Sequence, residues 1–248
     1  RNIVVDFSKI HGAPQKKKIR NGDNYLGFST GALQSECRKT SAWHPELFMP
    51  HQQKLFRTFR DGTGGVPVTP VQEVTQTMYF LQRDEDCENA FHSTADFMNM
   101  FLVMSALGIK PEQQQVMLFD RHIDGPYLEL LQKAYSPKHD VIRPSHYGGK
   151  VVKFKRTVFH LESPAGLIFP KVSGTTPLRC RSTGLFEGYR KFVLDAFGLY
   201  NVAPPPIPHV VLTLRERTQE KNVGRIMANE ADVKDILEQG NLMKLSVV

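Results

Sequence analysis

Two groups of residues in this 248-residue chain have the types and spacing that chemistry needs. The first is His92 with Asp96, four residues apart inside CENAFHSTADFMNMFLVMSAL, which runs from residue 87 to residue 107. At that spacing both side chains leave one face of a helix about one turn apart. An imidazole oriented by a carboxylate can accept a proton near neutral pH. The same two residues would equally serve as a satisfied polar pair anchoring an otherwise apolar helix, and their types leave both roles open. The second group follows the apolar run HVVLTL: Arg215 and Arg217, then Arg225 and Asn229. Guanidinium groups beyond a strand end suit a diphosphate, because they are permanently charged and bond in a bidentate way. Their plain alternative is a solvated basic loop.

Weaker groups accompany these. Asp120, Arg121, His122 and Asp124 follow the apolar run QVML. Asp120 there could orient a sugar, bind a metal or cap a following helix, and capping is the role expected of Asp124. His160 and Glu162 flank another strand end without a distinctive pattern. A P-loop and a G-x-G-x-x-G dinucleotide loop are absent from the sequence. Cys37, Cys87 and Cys180 have no zinc-ligand spacing, and a disulfide between Cys87 and Cys180 stays open as one pairing in an oxidising lumen.

The elements that must position these residues follow from periodicity. Asn2 to Phe7 reads as a strand, and His11 to Pro70 as a long irregular stretch with short elements. Thr75 to Leu81, Gln115 to Asp120, Asp140 to Ile142 and Lys150 to Leu161 read as strands. Helices are expected over Cys87 to Leu107, Pro126 to Tyr135 and Gly184 to Leu199. This alternation predicts an α/β fold with a largely parallel sheet. APPPIP at 203–208 reads as a stiff linker. Beyond it, His209 to Leu214 is expected as a strand and Glu230 to Gln239 as a helix, the beginning of a second unit that needs either more chain past Val248 or packing on the first domain to bury itself. The expected division is 1–74 as an irregular N-terminal segment of the first domain, 75–203 as its Rossmann-like body, 204–208 as linker and 209–248 as the start of a second domain.

Apolar residues make up 40% and charged residues 23%, the proportions of a globular rather than a disordered chain. No run approaches the 18 or so apolar residues that a membrane-spanning helix needs. The formal charge of +7 favours acidic partners. Without a basic–aromatic stripe, and with Lys16, Lys17, Lys18 and Arg20 reading as a solvated loop, nucleic acid is not among the expected ones. No Asn-x-Ser/Thr acceptor occurs.

In order, CENAFHSTADFMNMF, QVMLFD, KVVKFKRTVFHL, TGLFEGYRKFVLDAFGL and VVLTLRER with GRIMANEADVKDIL resemble glycosyltransferase family 61. That family includes the plant β-1,2-xylosyltransferases of N-glycan processing and the O-linked N-acetylglucosamine transferases of EGF-like domains. RNIVVDFSKI and SPAGLIF look more like the xylosyltransferase branch. The resemblance covers most of the chain from residue 75 onward. It implies a GT-B-like architecture of two Rossmann-like domains, here a nearly complete first (acceptor-side) domain and the start of a second (donor-side) one. It implies an inverting transfer of xylose or N-acetylglucosamine from a UDP-sugar to a glycan or glycoprotein hydroxyl. Asp96 or His92 would serve as base or acceptor holder. Arg215 and Arg225 would hold the donor diphosphate, with Arg217 and Asn229 as second choices. No metal ligand is assigned and no cofactor is certain, Mn²⁺ being the one candidate. The implied setting is the Golgi or endoplasmic reticulum lumen, in a type II membrane protein anchored through a segment outside this chain. The family's HGAGL-type motif is expected past Val248, so the chain reads as a fragment inactive by itself. The alternative is a non-catalytic glycan- or protein-binding module on the same scaffold.

Overall fold

A computed structural model describes residues 2–14, 25–35, 50–59, 69–83, 87–160, 184–203, 209–212, 233, 235 and 244–247. The chain divides into two compact units, Arg1–Phe197 and Gly198–Val248. In the first, strand β1 (Ile3–Asp6) leads through a short 3-10 turn to β2 (Ile10–His11), which pairs with β3 (Gly27–Phe28). Strand β4 (Leu33–Ser35) and helix α1 (Pro50–Arg57) follow. Then come β5 (Gln72–Leu81), helix α2 (Ala90–Leu107) and β6 (Gln114–Leu118). A helical turn α3 (Leu128–Leu130) continues as a π turn over Leu131–Tyr135, and β7 (Val151–Phe159) and α4 (Gly184–Ala196) complete the unit.

The sheet has five strands in the order β4-β1-β7-β5-β6. Strands β6 and β7 flank β5 and run parallel to it, as a strand–helix–strand chain requires. The N-terminal part changes the expected picture. Strand β1 pairs antiparallel with both β7 and β4, so the sheet is mixed, and residues 1–74 supply two of its five strands. Among the described residues only short elements separate β1 from β4, which suits antiparallel pairing better than a helical crossover.

Both faces of the sheet are covered, and β6 is buried along its whole length. On one face Met78, Phe80, Met117 and Phe154 pack with Leu55 and Phe56 of α1. On the other, Tyr79, Leu81, Val116 and Leu118 pack with Phe97, Met100 and Met104 of α2 and with Leu131 and Tyr135 of the π turn. A register shift between Val74 and Thr77 interrupts the β5–β7 ladder. Across it β7 changes faces: Val152 and Phe154 join the first core and Val158 the second, although all three share one parity. Helix α4 brings Tyr189, Phe192 and Ala196 against the second core, while Phe186 stays exposed.

Two expectations are corrected. The helix expected from Pro126 begins at Leu128, and its capping residue is Tyr127 with no side-chain cap. Asp124 therefore caps nothing; its carboxylate is held by Arg143, which donates from Nε at 3.0 Å and from a terminal nitrogen at 2.8 Å. In the second unit, β8 (His209–Leu212) is not alone, because β9 (Lys244–Val247) pairs with it in parallel. The segment KLSV, with Leu245 and Val247 as its apolar residues, supplies the partner that one strand needed. Between them Val233 and Asp235 are helical.

Candidate functional site: the carboxyl edge of the parallel strands

Ile142 bridges Met117 on the side of β6 away from β5, so the chain first steps outward from β5 to β6 to Ile142. It then returns to form β7 on the opposite side of β5. Strand order thus reverses between β5 and β7, and the carboxyl ends flanking such a reversal are where open α/β sheets bind ligands. Two clusters of buried polar side chains gather at this edge.

The first joins β5, α2 and β7. Tyr79 points from β5 into the core under α2, and its hydroxyl lies 3.1 Å from Nδ1 of His160, the residue directly after β7. Nε2 of His160 lies 3.3 Å from Oδ1 of Asp96, on the second turn of α2. The backbone N–H of His160 donates to the Phe80 carbonyl at 3.0 Å, which continues the ladder and fixes the ring beside β5. Tyr79, His160 and Asp96 are 0%, 1% and 2% exposed. Burial, and after it the charge of Asp96, push the Tyr79 phenol well above its ordinary value, so it keeps its proton.

The second cluster lies beyond β5 and β6. Arg83 grips Asp120 in a bidentate pair, Nε to Oδ2 at 3.0 Å and Nη2 to Oδ1 at 2.8 Å. The backbone N–H groups of Arg83 and His122 also donate to that carboxylate, at 3.2 and 3.0 Å. Arg83 Nη1 reaches the Asp124 carbonyl at 2.7 Å, and Arg143 donates to the carbonyls of His122 and Asp120 at 2.7 and 3.2 Å. Two guanidinium groups thereby cinch the 120–124 loop onto the sheet. Burial alone would push the Asp120 carboxyl up, but the charge and hydrogen bonds of Arg83 outweigh it and hold the group below the carboxylate range. Burial likewise opposes the Arg83 charge, and Asp120 reverses that too, so its value rises. With both oxygens engaged, Asp120 is an anchor rather than the sugar or metal ligand its position suggested.

The loop depends on glycine at two points. Gly125 has φ +76°, and a Cβ there would sit 3.4 Å from the Cys87 carbonyl just ahead of α2. Gly12, at φ +109°, lets the N-terminal segment pass so close to Arg121 that a Cβ would be 2.7 Å from its Cδ. A cavity of about 310 Å³ lies alongside, lined by Phe7, Ile10 and Leu26 on one side and by Asp120 and Arg143 on the other.

Of the residues singled out from sequence, Asp96 belongs to the first cluster, and His92 lies half-buried one turn nearer the start of α2. Arg215, Arg217, Arg225 and Asn229 lie outside the described residues, as do Glu162, Cys37, Cys180 and the Lys16–Arg20 cluster. Cys87 is buried. Among the described residues no three His, Cys, Asp or Glu side chains gather as a group that could hold a metal ion. Tyr79 and Arg83 were not singled out, and His160 was placed at a strand end without a role. The strand-end rule applied to HVVLTL would have found Arg83 had it also been applied to Thr75–Leu81.

No protein-family profile matches this chain, and no curated protein matches it. The architecture is that of a mixed α/β protein with a five-stranded sheet.

Proposed function

We propose that this chain is the acceptor-side part, with the beginning of the donor-side part, of an inverting GT-B glycosyltransferase. It moves xylose or N-acetylglucosamine from a UDP-sugar to a glycan or protein hydroxyl in the Golgi or endoplasmic reticulum lumen. The observation that carries this reading is the buried Tyr79–His160–Asp96 chain at the strand-order reversal. Ionisable groups are costly to bury, and their gathering at a ligand-binding edge marks a functional site more often than a packing accident. His92 keeps some exposure where Asp96 does not, so His92 is the group that meets the acceptor and Asp96 the carboxylate behind it. In the step, the acceptor oxygen attacks the anomeric carbon and its proton passes to His92. The bond from that carbon to the diphosphate breaks, and UDP departs with the electron pair. Arg215 and Arg225, backed by Arg217 and Asn229, offset the charge on the departing diphosphate.

The test is transfer from UDP-xylose and from UDP-N-acetylglucosamine by the full-length enzyme in a membrane preparation. Asp96→Asn should lower turnover at least about a hundredfold, the low end for losing a positioned acid–base group. Arg215→Ala should abolish UDP binding. Undiminished turnover in Asp96→Asn removes that residue from the reaction. A second reading rests on the depth of Asp96, which suits a scaffold as well as a reaction: a non-catalytic glycan- or protein-binding module. Glycan binding by the full-length protein without UDP binding would establish it in place of the enzyme.

A further inference from the structure

We infer that Tyr79 and His160 are positioning residues for Asp96, forming a proton-ordered chain in which the Tyr79 hydroxyl donates to Nδ1 and the Nε2–H donates to Asp96 Oδ1. The order follows from counting donors. Among the described residues His160 Nδ1 is the one hydrogen-bond partner of the Tyr79 hydroxyl, and a buried phenol that keeps its proton must use it there. Nδ1 then carries no hydrogen, and a neutral ring carries its hydrogen on Nε2, facing a carboxylate oxygen at 3.3 Å. The reverse order would leave the Tyr79 proton with nowhere to go and set two acceptors against each other. A charged ring would put a hydrogen on Nδ1 and strand the same proton.

The titratable groups facing the chain come from each element packed around it. Tyr79 lies on β5 and Asp96 on α2; Tyr135 of the π turn stands behind Tyr79, and Tyr189 of α4 meets Tyr135. The consequence is directional: one N–H, ordered by a tyrosine of β5, fixes the Asp96 rotamer on α2, one turn from His92. That Asp96 thereby serves sugar transfer rests on the function proposed above; the hydrogen-bond order does not.

Two NMR measurements on the protein test it. With ¹⁵N-histidine labelling, the His160 ring at neutral pH should show the Nε2–H tautomer; an Nδ1–H ring or an imidazolium would overturn the order. With ¹³C-aspartate labelling at neutral pH, the Asp96 carboxyl resonance should move in His160→Leu, which removes the hydrogen bond from the ring. It should return in His160→Gln, whose amide N–H can donate from the same place. An unmoved resonance in His160→Leu defeats the positioning role. Should that variant not fold, Tyr79→Phe decides: the wild-type ring spectrum, unchanged, would show that Tyr79 sets nothing. A full-length enzyme that transfers no sugar while the ring is Nε2–H would end the proposed function and leave the chain standing.

Discussion

The Arg83–Asp120 pair and the Tyr79–His160–Asp96 chain occupy the same edge of the same sheet, a strand apart, and both are buried. They meet the cost of burial differently. In the pair, two full charges are taken from water together, and every carboxylate oxygen accepts from a guanidinium and from backbone N–H groups. In the chain, two buried rings lead to one carboxylate through contacts of 3.1 and 3.3 Å. A saturated ion pair has no bonding capacity left for a ligand. A chain of hydrogen bonds can transmit the state of one end to the other. The difference separates an anchor from a site, although both would be described as buried polar groups near strand ends.

The largest effect should come from breaking the anchor. Asp120→Asn leaves the Arg83 guanidinium buried without its countercharge, and removing one partner of a buried pair costs about 3–5 kcal/mol. Urea denaturation should show the loss as a lower midpoint at unchanged slope. A loss under about 1 kcal/mol, the range of exposed pairs, would mean that Arg83 finds water.

Titration should separate the clusters again. The Asp120 carboxyl lies below its ordinary value in the folded protein, so its contribution is present above the unfolded value of about 3.9 and fades as pH falls through the folded value. Tyr79 is the opposite case. Its folded value is raised, so its contribution is complete below the unfolded value of about 10 and fades as pH rises beyond it. Thermal melts of Asp120→Asn should lose less stability between pH 4 and pH 2 than wild type. Those of Tyr79→Phe should lose less above pH 10. Parallel curves at either end would show that the group concerned titrates alike folded and unfolded.

How much of this was legible in advance depends on how local the cause is. Helix α2, β5 and the parallel pairing came from periodicity, because an apolar repeat is a short-range signal. Asp96 could be noticed because its surroundings in sequence are so apolar. Its partner could not: His160 lies 64 residues away and meets Asp96 only because β7 lies next to β5. Arg83 and Asp120 are 37 residues apart, and their pairing needs the β5–β6 register. The antiparallel addition of β1 and β4 was illegible for the same reason, since partner choice between strands is written in tertiary packing. The capping role expected of Asp124 failed because the helix starts two residues later than Pro126 suggested.

A milder break falls in the chain. At neutral pH, Tyr79→Phe removes one hydroxyl while the ring keeps its packing, so it should cost about 1–2 kcal/mol, the cost of a buried acceptor left without its donor. The inequality with Asp120→Asn matters more than either number. If Tyr79→Phe were the costlier change, the chain would be the structural anchor and the ion pair the more adaptable of the two.

The smallest effect belongs to a pair with the same formal chemistry and none of the burial. Lys191 and Asp195 meet at 2.6 Å on α4, with side chains 50% and 47% exposed. Water solvates both charges before and after folding, and salt screens what attraction remains, so Lys191→Ala should change stability by under about 0.5 kcal/mol. That distance is shorter than any in the Arg83–Asp120 pair, yet the expected cost is several times smaller. Denaturation of the two variants side by side isolates the reason. If Lys191→Ala cost as much as Asp120→Asn, proximity of charge would set the energy in this fold, and desolvation would no longer distinguish the two buried clusters.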